Sequence, residues 1–291
     1  MPTPQELLAQ GDPKAALAQL QQQVRNKAND PKLRVFLFQL LSVLGQWQRA
    51  LDQLQVCGEL DAGTLAMVNT YRTAIQCEAV REAVFKGTTV PHAFGRPQNW
   101  VALLAQALQA DAQGDGRQAA KLRAMAFEDA PTTSGSLDGE AFEWIADADS
   151  RLGPVLEVII NGRYGWLPYN NLAKISIDAP TDLRDLVWAP ALITFAHGGE
   201  TVALLPARYA GTVDTGEGAL LMSRKTEWLP LGDEQFRGLG QRVLSSSASE
   251  KGLLEVREIL LDGELMHEDD PGEDTAEGDH EGNAADGAAA G

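Results

Sequence analysis

Apolar residues recur at two different periods along the chain, and the change of period divides it. After Pro31, the residues Leu33, Phe36, Leu37, Leu40, Leu41 and Leu44 fall at offsets 0, 3, 4, 7, 8 and 11, one face of a 3.6-residue helix. Gly45 stops that helix, and Trp47, Ala50, Leu51 and Leu54 resume helical spacing almost at once. A connection this short suits an antiparallel helical hairpin. Asp12-Pro13 and Asp30-Pro31 each set a capping side chain before a proline at the first helical position, where the missing N–H costs nothing.

The hairpin unit recurs. Gly11 to Ala16, Gly45 to Ala50 and Gly114 to Ala119 all read Gly, four residues, Ala, with the glycines 34 and 69 residues apart. Those spacings are close to one and two periods of the ~34-residue tetratricopeptide repeat. In the third copy Ala119, Ala126 and Pro131 also match the repeat's second helix and closing proline, whereas Gly87, Pro91, Gly95 and Pro97 interrupt the array. Residues 1–131 therefore read as an irregular, tetratricopeptide-like helical domain, whose concave groove would suit an amphipathic helix or an extended peptide.

Pro131 to Gly139 is rich in turn residues, which places a linker at 132–140. Beyond it the period shortens to two. Pro154 to Ile160 and Arg163 to Pro168 flank Asn161-Gly162, the strongest short-range hairpin signal. Ala173, Ile175 and Ile177 alternate with polar residues, and Ala191 to Ala196 faces Thr201 to Leu205 across His197-Gly198-Gly199-Glu200. The expected fold class is α+β: the helical domain, then a smaller antiparallel β-rich domain over 141–261, a bent sheet or partial barrel. Leu253 to Leu260 fits a strand or a helix equally well.

Charge adds a fourth segment. The 291 residues carry 24 Lys+Arg against 41 Asp+Glu, but 11 of the acids and no Lys or Arg lie between Asp262 and Gly291. That stretch, with almost no apolar content, reads as a disordered acidic tail over 262–291. The remainder is mildly acidic and has no basic stripe, which argues against nucleic acid and against an anionic membrane surface. No apolar run approaches the ~20 residues of a membrane span. The N-terminus lacks the basic and apolar regions of a secretory signal, so the expected location is cytoplasmic. Cys57 and Cys77 are expected to be reduced and structural.

Chemistry is sparse. Asp147-Ala148-Asp149-Ser150-Arg151 sets two carboxylates at a spacing that could hold a divalent cation. An EF-hand is excluded, because the fifth position is Arg151, the glycine comes one residue late and Val158 stands where a bidentate Glu is needed. The alternative is a structural cluster of Trp144, Asp147, Asp149 and Arg151 at the domain junction, with Arg151, Arg163 or Arg184 as ion-pair partner. Among the histidines, His92, His197, His267 and His280, only His92 could serve as a buried base. Gly238-Leu239-Gly240 lacks the third glycine of a dinucleotide fingerprint and reads as a turn. The default role of the six tryptophans is in the core and at the junction. No catalytic, cofactor or metal residue is assigned.

Several blocks together resemble a known family: Leu37 to Leu41 through Gly45 to Leu54, Cys77-Glu78 with Arg81 and Val84-Phe85, Asp147 to Pro154, Asn161 to Tyr164 with Trp166-Leu167-Pro168, Asp182 to Trp188, and Arg208-Tyr209. They look like the ImpE/TagJ accessory proteins of bacterial type VI secretion, from about residue 5 to residue 260. The resemblance implies a non-enzymatic cytoplasmic adaptor with two partners, the sheath small subunit TssB and the sheath-disassembly ATPase ClpV. It leaves open which surface binds and the oligomeric state. Competing readings are a metal-dependent enzyme using Asp147 and Asp149, and a purely self-associating protein.

Overall fold

The computed structural model describes residues 2–95, 98–232 and 234–262. The acidic tail, with His267 and His280, lies beyond Asp262 and outside the described residues. The helical half comprises α1 (Pro4–Ala9), α2 (Pro13–Asn26), α3 (Pro31–Val43), α4 (Trp47–Leu60), α5 (Leu65–Phe85), α6 (Asn99–Ala112) and α7 (Gly116–Asp129). Each of the three spaced glycines sits at a hairpin corner, between α1 and α2, α3 and α4, or α6 and α7, and Ala16, Ala50 and Ala119 are fully buried. The caps are where sequence places them: Asp12 accepts from Ala15 N, Asp30 from Lys32 and Leu33 N, and Asp115 from Gln118 N.

α3 departs from its predicted stripe. Phe38, Ser42 and Val43 are buried along with Leu37, Leu40 and Leu41, because the rest of the chain covers the helix on a second side. Trp188 packs against Trp47 and Tyr71, each at 5.8 Å between ring centroids, and Phe85 meets Trp166 at 6.4 Å. One continuous core runs from Leu8 through Phe38 and Tyr71 to Trp166, Trp188 and Tyr209. The helical surface carrying these aromatics is covered by the chain's own sheet.

That sheet is built from β1 (His92–Ala93), β2 (Gly135–Leu137), β3 (Glu140–Phe142), β5 (Val155–Ile160), β6 (Arg163–Pro168), β7 (Leu172–Ile177), β8 (Trp188–Phe195), β9 (Glu200–Pro206) and β14 (Glu258–Leu261), with β4 (Ile145–Asp147) branching off between β3 and β5. Its order is β1-β6-β5-β9-β8-β7-β14-β2-β3. All pairs are antiparallel except β1 with β6. Asn161 (φ 50°) and Gly162 (φ 72°) make the β5–β6 hairpin turn, with both residues left-handed as that turn requires. After the short helices α8 (Thr212–Thr215) and α9 (Gly218–Leu221) come β10 (Thr226–Gly232) paired with β11 (Gln235–Gly240), and β12 (Val243–Ser246), which lies between β4 and β13 (Glu250–Gly252).

Four expectations need correction or completion. The sheet is open and nine-stranded, larger than a small barrel, because it recruits β1 from the helical half and β2 from the stretch read as linker. That stretch, 132–140, is therefore partly strand: Gly135 to Leu137 pairs with Leu261 to Ile259. Gly238-Leu239-Gly240 is strand and not turn; a Cβ on Gly238 would meet the Tyr209 ring at 2.2 Å, so that glycine serves close packing. Leu253 to Leu260 divides into a 3-10 turn at Leu253–Glu255 and the start of β14.

Candidate functional site

The seam between the halves is dense in buried charge. Glu157, in the middle of β5, is fully buried. It accepts from Arg81 Nε at 2.8 Å and Nη2 at 3.0 Å, from the Tyr164 hydroxyl, and from Arg242 Nη2. Arg81 comes from α5 and also faces Glu78 at 3.5 Å, whose carboxylate accepts from Trp188 Nε1 at 2.8 Å. Arg208 donates to the carbonyls of Val43 and Leu221, each at 2.6 Å, so it ties the end of α3 to the segment after β9. Two halves of the sequence are thus joined through fork-shaped guanidinium contacts, the geometry for which Arg is suited.

A second knot lies beside it. Arg151 grips Asp149 with Nε at 2.9 Å and Nη2 at 2.6 Å, while Gly238 N also donates to Asp149. Its guanidinium stacks over Phe85 of α5, 4.7 Å from the ring centroid. Asp147 accepts from Asp149 N at 2.8 Å and from the Tyr209 hydroxyl at 3.0 Å. Its other oxygen is 3.2 Å from Arg242 Nε, an ion pair without hydrogen-bond alignment. Burial, only partly offset by Arg242, pushes the Asp147 carboxyl up to about 7. Burial likewise pulls Arg208 and Arg242 down to about 10 and pushes Tyr209 and Tyr164 up. Between the halves Arg81, Arg151, Arg208 and Arg237 line a cleft of about 370 Å³.

The structure brings three of the four sequence-selected residues together: Asp147, Asp149 and Arg151 meet β11, Tyr209 and Arg242 behind α5. Trp144 is not among them and is 41% exposed. Arg184 pairs with Asp182 and stacks on Tyr71, and Arg163 is exposed, so neither serves the two aspartates. Tyr209 belongs to one of the blocks that carry the family resemblance, whereas Glu157 and Arg242 had no sequence signal beyond an acid inside the apolar run Val155 to Ile160. Both Asp149 oxygens and one oxygen of Asp147 accept from arginine, tyrosine or backbone donors. Among the described residues, no group of three or more His, Cys, Asp or Glu is placed to hold a metal ion. His92 is exposed and edge-on to Phe94. Cys57 and Cys77 are buried free thiols whose pKa burial raises to about 11.

These features define an α+β protein of two interlocked halves, whose buried ions bind one another. The chain belongs to the ImpE/TagJ family of type VI secretion accessory components. The family model described as ImpE protein matches residues 139–260. Over 255 residues the chain is 54% identical to the type VI secretion system accessory component TagJ of Pseudomonas aeruginosa, spanning 88% of this chain and 89% of that protein. The crystal structure of protein VPA1032 from Vibrio parahaemolyticus superposes with a TM-score of 0.82 at 22% identity, covering 90% of this chain and 98% of the other, a likeness of fold. No helix of the described residues is long and apolar enough to cross a membrane.

Proposed function

We propose that the chain is a non-enzymatic cytoplasmic adaptor of type VI secretion that holds the sheath small subunit TssB and the ATPase ClpV by recognising a helix or peptide. Identity of 54% along nearly the whole length of TagJ is the observation that carries the reading. In it, the helical half is a tetratricopeptide-like array, and the cluster of Asp147, Asp149 and Arg151 fixes the junction instead of performing chemistry. Trp144 stands outside that cluster as a surface residue. A scaffold suits this work, because a partner held on one half is then held at a fixed distance from anything on the other.

The test is affinity purification of the tagged full chain from a native lysate, followed by pairwise binding of purified TssB and ClpV. Recovery of both at defined stoichiometry is expected. Recovery of neither, with the purified components also failing to bind, overturns the partner assignment. Elemental analysis of the same preparation separates the enzyme alternative: a divalent ion at unit stoichiometry that is lost in Asp149→Ala would revive it.

A further inference from the structure

The cleft of about 370 Å³ between the halves has a cationic floor. Arg81 of α5, Arg151 after β4 and Arg208 after β9 line it and are buried. Glu82, Lys86, Asp214 and Arg237 also line it and are exposed, so they mark its mouth. Lys86 pairs with Glu82 there, and Arg237 adds an exposed guanidinium. The floor arginines are close neighbours: Arg81 and Arg151 lie over the Phe85 ring, 5.7 and 4.7 Å from its centroid, and Arg81 Nη2 donates to Arg208 O at 2.6 Å.

Most of the answering carboxylates stand behind these arginines. Arg81 gives Nε and Nη2 to Glu157, and Arg151 gives Nε and Nη2 to Asp149, yet neither Glu157 nor Asp149 lines the cleft. Glu78 is the one acid of the floor, 3.5 Å from Arg81 Nη1 and engaged by Trp188 Nε1. Arg208 differs from every other buried arginine among the described residues. Arg81, Arg123, Arg151 and Arg242 each have a carboxylate partner, whereas Arg208 donates only to carbonyls, those of Val43 and Leu221 at 2.6 Å and of Ser42 at 3.4 Å. Burial lowers its pKa most; Glu78 opposes, and the like charge of Arg81 adds to the lowering. Arginine nitrogens both unpaired and sealed from solvent belong to Arg123, Arg184 and Arg242, so the unspent N–H groups of the three floor arginines are open to solvent.

Such a floor recognises an oxyanion, because guanidinium forks match its charge and geometry. A carboxylate offers two oxygens and a single charge, which one fork satisfies. A phosphate monoester offers three terminal oxygens and a charge of about −1.5 to −2, enough to engage three guanidinium groups. The walls suit an organic remainder: Trp47, Phe85 and Val213 line the cleft half-buried, and its volume falls within the range of about 300–1,000 Å³ usual for small-molecule sites. We propose that the cleft binds a small phosphorylated molecule, its phosphoryl group on Arg81, Arg151 and Arg208 and its aromatic or apolar part against Trp47, Phe85 and Val213, with Arg237 guarding the mouth. The proposal goes beyond the adaptor reading and does not depend on it.

The test is titration calorimetry of the full chain, in low-salt buffer, with phenyl phosphate, inorganic phosphate, benzoate and phenol. Phenyl phosphate should bind at one site, several-fold tighter than inorganic phosphate and about tenfold or more tighter than benzoate. Phenol should give no measurable binding. Arg237→Glu should weaken phenyl phosphate binding about tenfold or more, and Asp214→Asn should strengthen it several-fold. Both positions are exposed, so each variant should melt like the wild type when no ligand is added. Arg163→Glu, an exposed change outside the cleft, should leave the affinity unaltered. The proposal is overturned if phenyl phosphate fails to bind at millimolar concentration, if benzoate binds as tightly, or if Arg237→Glu and Asp214→Asn leave the affinity where it was.

Discussion

The seam behind α5 and the groove that Phe127, Pro131, Trp144 and Pro154 line beside β4 share the eight-residue stretch Asp147 to Pro154 and treat charge in different ways. In the seam Glu78, Glu157, Asp147 and Asp149 face Arg81, Arg151, Arg208 and Arg242, all buried, with each carboxylate answered by a guanidinium. Beside the groove, Phe127 and Trp144 are half exposed, and their chain neighbours Glu128, Asp129 and Glu143 are exposed to water. Buried charge must be neutralised internally, since an uncompensated ion in low dielectric is expensive. Solvated charge carries no such requirement and is left free to meet something else. The comparison separates residues that hold this molecule together from residues it presents.

Breaking the seam should have the largest effect. Glu157→Ala leaves Arg81 with Glu78 alone and Arg242 with Asp147 alone, and should cost ~3–5 kcal/mol in denaturant unfolding. Replacing Glu157, Arg81 and Arg242 together by Met, with Glu78→Gln and Asp147→Asn so that no buried carboxylate loses its partner, should recover much of that loss; a Glu157→Ala variant that unfolds with wild-type stability would show the pairs to be ornamental.

Asp147 sharpens the comparison through pH. Its carboxyl is raised from 3.8 to about 7 in the folded state, so between those values the native chain binds a proton that the unfolded chain does not. Stability attributable to this group therefore falls as pH rises through the window, by up to ~1.4 kcal/mol per pH unit. The difference in unfolding free energy between wild type and Asp147→Asn, measured from pH 4 to 8, should show that slope. A flat difference would mean that Arg242 and Tyr209 keep the carboxylate ionised.

Two of the repeated glycines give a smaller, paired test. Gly45 (φ +66°) has Val213 2.7 Å from where a Cβ would be, whereas Gly114 (φ +78°) has nothing within 4 Å. Left-handed backbone alone should make Gly114→Ala cost ~1–2 kcal/mol. Gly45→Ala should cost measurably more, the excess being its contact with the β half. Equal melting shifts would count against a tight seam there.

Smallest of all, Trp144→Ala should change unfolding free energy by less than ~1 kcal/mol, because a half-exposed ring contributes little to the core. A large loss of stability would move Trp144 from the presented class to the structural one.

What could be read from sequence was whatever is local. Each helix stop at Gly11, Gly45 and Gly114, each Asp-Pro cap and the Asn161-Gly162 hairpin depends on residues within one or two turns of one another. The Asp149 and Arg151 pair was visible for the same reason. Glu157 was not, since its partners Arg81 and Arg242 stand 76 and 85 residues away and no spacing connects them. Phe38 shows the same limit: its helix was legible, but it packs on Tyr71 of α5, 5.7 Å between ring centroids, and nothing in the period of α3 announces that partner. Arg242 adjoins Gly238-Leu239-Gly240, where glycine was read as punctuation when its role is to admit the Tyr209 ring. The turn-rich 132–140 misled because Gly135 and Ser136 signal loop locally, yet gain strand geometry from β14 far downstream.

The position of β14 in the large sheet sets a clock on synthesis. It lies between β7 and β2, so the β2–β3 hairpin, although translated early, has no neighbour to join until the last described strand leaves the ribosome. At ~5–20 residues per second the wait is on the order of ten seconds. Throughout it the nascent chain displays Leu137 and Phe142, side chains that end fully covered, and β2 stays unpaired on the side that β14 will take. A chaperone that shields nascent strands would therefore find its window in the interval between β3 and β14, and slowing translation of residues 143–257 should raise the insoluble fraction of the newly made protein.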